Sequence, residues 1–212
     1  MTHAHTKDTR ILAIAPSTRG FGFAVLEGHE TLVDWGIRSV KGDKNRQCLA
    51  KVQELIAQYQ PGVIVLEDTS AKDSRRAPRI RALTKKIVAL ASSCKVKVAL
   101  FSHKRIREAF FTHGHGTKHA LAEILAKRFP EELGLRLPPK RRPWTSEDSR
   151  MNIFDAVALT LMLQVSSKLR KQEAGEGKLP SCDSAFNRQA TTFSRSSEDS
   201  IECEEGGEAA RE

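Results

Sequence analysis

Three short apolar segments crowd into the first forty residues: ILAIA (11–15), FGFAVLE (21–27) and TLVDWGIRSV (31–40), divided by the turns PSTRG and EGHE. Runs this short, with glycine-bearing turns between them, pair as an antiparallel meander. The pattern then alternates. RQCLAKVQELIAQY sets Leu49, Val52, Leu55, Ile56 and Tyr59 on one helical face and stops at Pro61-Gly62. GVIVLED (62–68) is a short continuous apolar run, the pattern of a strand covered on both faces. IRALTKKIVALASSC repeats Ile80, Leu83, Ile87, Leu90 and Cys94 at helical spacing, and VKVALFS (96–102) is a further strand. Ala120 to Phe129 and the nearly all-apolar Met151 to Val165 complete the order with two helices. Three meander strands followed by alternating helices and strands predict an α/β fold, a five-stranded mixed sheet covered by helices.

Charge divides the chain. Residues 1–169 hold 29 Lys and Arg against 16 Asp and Glu, whereas residues 170–212 hold 6 against 10. From Arg170 onward Gly, Ser, Glu and Gln dominate and the periodicity ends. The expected organisation is a flexible N-terminus (1–9), one domain (10–169) and a disordered acidic tail (170–212). A basic body points to nucleic acid as partner, with a merely solvated basic surface as the plain alternative. Cys48, Cys94, Cys182 and Cys203 form no CxxC pair, which argues against a zinc ribbon or a disulfide scaffold. MTHAHTKDTR lacks the apolar core of a secretory leader, and no uncharged run nears membrane-spanning length. A cytoplasmic protein with no membrane association is expected.

Four stretches carry a resemblance: ILAIAPSTRGFGFAV, VIVLEDTSAK, THGHGTKHALAEILAKRF and NIFDAVALTLML. In order and spacing they resemble the RuvC-type Holliday junction resolvases of the RNase H-like superfamily, over residues 10–165. The resemblance implies an RNase H-like fold and hydrolysis of phosphodiesters in branched DNA. It further implies carboxylates on the first strand, the fourth strand and the last helix that hold two divalent ions, Mg²⁺ or Mn²⁺. Glu67 and Asp155 match two of these catalytic metal ligands, and Lys118 matches a lysine that faces the scissile phosphate. Two positions depart from the pattern. Ala15 stands where the first-strand aspartate belongs, and a methyl group cannot ligate. Asn152 replaces an acidic residue one turn before Asp155, and an amide oxygen still can. Asp148, two helical turns before Asp155, is a further candidate ligand, or else caps the helix. Symmetric junction cleavage needs two sites, so the resemblance also suggests a homodimer.

Both carboxylates have other uses open to them. Glu67 could pair with Lys118, and Asp155 could bond to the backbone. The second is awkward, because Ile153, Phe154, Ala156 and Val157 surround Asp155 with apolar side chains, and a buried carboxylate needs a cation, a metal or several donors. His113, His115 and His119 in HGHGTKH fit no zinc spacing, and a phosphate at the Gly116-Thr117 helix entry suits the segment better.

Between Lys72 and Arg107 twelve Lys and Arg stand against one acid, Asp73. Lys72, Arg75, Arg76, Arg79 and Arg81 follow Glu67 directly, a cluster suited to gripping phosphates without reading bases. Lys140, Arg141 and Arg142 with Trp144 add backbone contact and stacking on an unpaired base, unless Trp144 anchors its loop to the core. DNA is the expected partner, with RNA left open. Two functions remain: a structure-selective endonuclease, or a protein of the same fold that holds DNA without cutting it. Ala15 favours the second.

Overall fold

The computed structural model describes residues 10–28, 31–70, 76–111, 116–142 and 144–175, with side chains through Ser166. Lys72, Arg75, His113 and His115 lie outside the described residues, as do residues 1–9 and 176–212. The meander is β1 (Ile11–Ser17), β2 (Gly20–Glu27) and β3 (Thr31–Ser39). Then come α1 (Lys44–Tyr59), β4 (Val63–Glu67), α2 (Pro78–Ser93) and β5 (Lys97–Phe101). The strands form one sheet in the order β3-β2-β1-β4-β5. The meander is antiparallel, and β4 and β5 join the free edge of β1 in parallel. The five-stranded mixed sheet expected from the sequence is present.

The remaining helices are α3 (His103–Phe110), α4 (Lys118–Arg128), α5 (Pro130–Leu133), a 3₁₀ turn (Gly134–Arg136) and α6 (Met151–Gly175). α3 and α5 were not anticipated, and α6 runs past residue 169, where the domain was expected to end. Helix boundaries follow local chemistry. Asp43 caps α1 by accepting from the Arg46 amide, and the left-handed Gln60 (φ 44°) ends it ahead of Pro61. Ser102 caps α3 by accepting from the Arg105 amide at 3.3 Å.

Strand alternation sorts the side chains into two layers. Leu12, Ile14, Phe21, Phe23, Val25, Ile64 and Leu66 pack against Cys48, Val52, Leu55 and Ile56 of α1 and Leu83 and Ile87 of α2. On the opposite face Ala13, Ala15, Ala24, Leu26, Val65 and Phe101 meet α3, α4 and α6. Each fully buried Leu, Ile or Phe contributes about 1.5–3 kcal/mol, so both layers hold the sheet. The two faces differ in size of side chain. The second is rich in alanine along β1 and β2, and its smallest member, Gly22, pairs with Ala15 across the ladder. A Cβ on Gly22 would lie 2.1 Å from the Asn152 carbonyl oxygen. Small residues here let the first turn of α6 press onto β2, which fixes where the next turn, bearing Asp155, projects.

Candidate functional site

Ligand sites in open α/β sheets gather at the carboxyl ends of the parallel strands. Ile14 pairs with Leu66, so Ala15 and Glu67 come next on adjoining strands, on the face that α6 covers. They line one cleft with Asp155 of α6, Lys118 at the start of α4, and Arg76 just ahead of α2. His103 and Arg107 of α3 complete its polar wall, while Ile106, Phe111, Leu121, Ala158 and Leu159 form an apolar floor. Glu67, Asp155 and Lys118, singled out in the sequence, thus line the same cleft.

Their partners differ from those expected. Glu67, whose side chain is 13% exposed, takes a two-nitrogen grip from Arg76. Nε lies 3.1 and 3.2 Å from its two oxygens, and Nη2 is closer still to Oε2. Lys118 pairs instead with Asp155 at 3.2 Å and with Glu147 at 2.7 Å. Burial works against the charge on Lys118, but Asp155 and Glu147 outweigh it and raise the ammonium above its usual range. Burial likewise opposes the Arg76 charge, and Glu67, Asp155 and Glu147 raise it. The cations therefore stay charged. Burial pushes Asp155 up, with Lys118 and Arg76 pulling against it. Burial also lowers His103, aided by Arg107 and Arg76 and opposed by Glu67, so its imidazole is neutral near pH 7.

The other candidates sit apart. The Asn152 amide donates to the Ser149 carbonyl at 2.9 Å and does not line the cleft. The Asp148 carboxylate accepts from the Arg150 amide at 2.8 Å and pairs with its guanidinium at 2.7 Å. Those bonds to Arg150 hold Asp148 below the usual carboxylate range. Of the basic cluster, Arg79 donates to the Ser17 carbonyl and to Asn45 Oδ1, and Arg81 donates to the Arg76 carbonyl. Both brace the chain near the cleft. Lys140, Arg141, Arg142 and Trp144 are exposed on the loop leading to α6. His119 contacts the Pro138 carbonyl and Glu123, away from any metal-like cluster.

Among the described residues no group of three His, Cys, Asp or Glu side chains is placed to hold a metal ion. The donor set suits one hard cation carried by Glu67 and Asp155, since Mg²⁺ is commonly held by one or two carboxylates with substrate phosphate and water. It does not suit two ions, because the Ala15 methyl offers no oxygen where the third carboxylate would stand. Sequence reasoning missed His103 and Arg107. The signal was available: both follow directly from the carboxyl end of β5, on a segment capped by Ser102.

The chain superposes on solved structures of junction resolvases. Thermus thermophilus RuvC matches with a TM-score of 0.56 and 17% identity, covering 76% of this chain and 97% of that one. The fold is that of RuvC. T. thermophilus RuvC in complex with a Holliday junction substrate matches at 0.57 and 17% identity, covering 76% of this chain and 96% of RuvC. The yeast mitochondrial Holliday junction resolvase Ydc2 matches at 0.54 and 13% identity, covering 78% and 85%. No family model and no curated protein sequence matches the chain. At these identities the likeness to RuvC and Ydc2 is one of fold. Among the described residues no helix is long and apolar enough to cross a membrane.

Proposed function

We propose that the protein is an endonuclease of branched DNA, of the junction-resolvase type. The observation that carries this reading is the meeting of Glu67 and Asp155 in one cleft, on a fold that matches RuvC over nearly the whole of that enzyme. Glu67 and Asp155 are the residues that would hold a Mg²⁺ or Mn²⁺ ion, which when bound supplies charge neutralisation and an activated water. The chain's own residues do the rest. Lys118 and Arg76 bring fixed positive charge to a phosphodiester entering the cleft. The apolar floor limits water and strengthens those interactions. Lys140 and Arg142 hold the flanking backbone.

Symmetric cutting of a four-way junction takes two sites, so this reading includes a homodimer, work in DNA recombination or repair, and a cytoplasmic location. A second reading, a protein of the same fold that binds junctions without cutting them, is favoured by Ala15 and by the ion pairs that already satisfy both carboxylates. Gel-shift titration of a labelled four-way junction against duplex of equal length, at two salt concentrations, tests the substrate class. Preference for the junction, weakening steeply with salt, is expected for both readings. Equal weak binding of all nucleic acids, or none, would refute them. RNA junctions in the same titration decide the sugar.

A further inference from the structure

The loop before α6 is pinned at both ends to the start of α4. At one end the buried Pro138 carbonyl lies 3.0 Å from His119 Nε2. A carbonyl only accepts, so Nε2 carries the hydrogen. At the other end Glu147 accepts from Lys118 at 2.7 Å. Lys118 and His119 are consecutive, so the loop leaves and returns beside one point on α4. Inside the loop the Thr145 amide and hydroxyl both donate to the Arg142 carbonyl, at 3.1 and 3.0 Å. Arg141 Nε donates to the Thr145 carbonyl at 2.7 Å. These bonds close a turn around Trp144.

Trp144 is 78% exposed, so it does not anchor the loop to the core. An indole joins a large apolar face to a polar N–H, the combination that enriches tryptophan at binding interfaces. The nearby side chains say which partner. Lys140 and Arg142 are exposed and have no carboxylate partner among the described residues. An aromatic ring that closely follows such cations in the chain suits a nucleobase next to its phosphates. The base of the loop is also the cleft, because Lys118 bonds Glu147 and Asp155 together. A phosphate engaged by Lys118 therefore places its neighbouring nucleotides within reach of the turn.

We propose that Trp144 is a base-stacking residue that selects DNA carrying an unpaired base beside the cleft. The proposal rests on the DNA-binding reading above. In intact duplex both faces of every base are covered by neighbours, and uncovering one costs a few kcal/mol. At a branch point or in a single strand a face is free. Trp144 thus adds affinity for branched and single-stranded DNA and little for duplex.

The test uses the full chain in EDTA, where cutting cannot intervene. Trp35 is the chain's one other tryptophan, so a Trp35→Phe variant reports Trp144 fluorescence alone. Oligothymidylate should quench it, and a blunt duplex should not. Trp144→Ala should weaken junction and single-strand binding by about 5- to 150-fold, the range for one stacked base. Duplex binding should stay within about twofold, and Trp144→Phe should restore most of the loss. Equal losses on duplex and junction, or none on either, would overturn the stacking role and leave the DNA-binding reading standing. Wild type that binds no DNA at all would overturn both.

Discussion

Gly22→Ala tests the contact that positions α6, and with it Asp155. A Cβ at this position lies 2.1 Å from the Asn152 carbonyl oxygen, 2.4 Å from its carbonyl carbon and 2.8 Å from its Cβ. Two of those three atoms are backbone, so no rotamer change relieves the clash. Either β2 bends or the first turn of α6 lifts. Overpacking a close-packed contact costs about 1–3 kcal/mol, and a backbone obstacle puts this case at the upper end, about 3 kcal/mol. With a urea slope of about 2 kcal/mol/M the unfolding midpoint should fall by about 1.5 M. Gly134→Ala is the matched control, because nothing lies within 4 Å of its added Cβ and its φ of −55° is helical. It should be neutral or stabilising by up to about 1 kcal/mol. Chemical denaturation followed by circular dichroism measures both. A Gly22→Ala loss below about 0.5 kcal/mol would refute the close approach of α6 to β2.

Three further outcomes follow from the same geometry. Ala15→Asp adds a carboxylate beside Glu67 and Asp155 at a position only 6% exposed; it should lower stability in EDTA and raise Mn²⁺ affinity by calorimetry, and unchanged affinity would refute its placement at a ligand position. Arg76→Gln strips Glu67 of its partner and should cost about 1–3 kcal/mol, most of it recovered on adding Glu67→Gln; strictly additive losses in a double-mutant cycle would show that the pair does not interact. The Arg150 bonds lower Asp148 from its ordinary value of 3.8, so this pair supports the fold above that value. The support disappears as pH falls through the lowered one. Asp148→Asn should therefore flatten the acid limb of the stability curve, and an unchanged limb would contradict the pairing.

The sheet was legible because its signals are local. Strand-length apolar runs and the turns between them locate all five strands, and β4 is a continuous apolar run because helices cover both its faces. α3 was lost because half of HKRIREAF is charged, although Ser102 ahead of it and Ile106 and Phe110 four apart mark a capped amphipathic helix. At the site, sequence placed Glu67, Asp155 and Lys118, whose residue types and spacing carry the resemblance. It could not assign their partners, since which cation reaches which carboxylate depends on the loop ahead of α2 and on the one pinned to α4. Lys118 thus belongs with Asp155 and Glu147, and Glu67 with Arg76. Ala15 was visible as a departure, but its setting was not. It lies opposite Gly22 on an alanine-rich face that admits α6.

Glu67 and Asp155 are proposed to act together on branched DNA. Strand nicking of an end-labelled four-way junction with Mn²⁺ measures it directly, for wild type, Glu67→Gln, Asp155→Asn and the double variant. Wild type should give product, and each single variant should lose as much as the double, because the two carboxylates serve one site. Undiminished product from either single variant would contradict it. So would junction binding by wild type with no product at all, which would leave a binder in place of an enzyme.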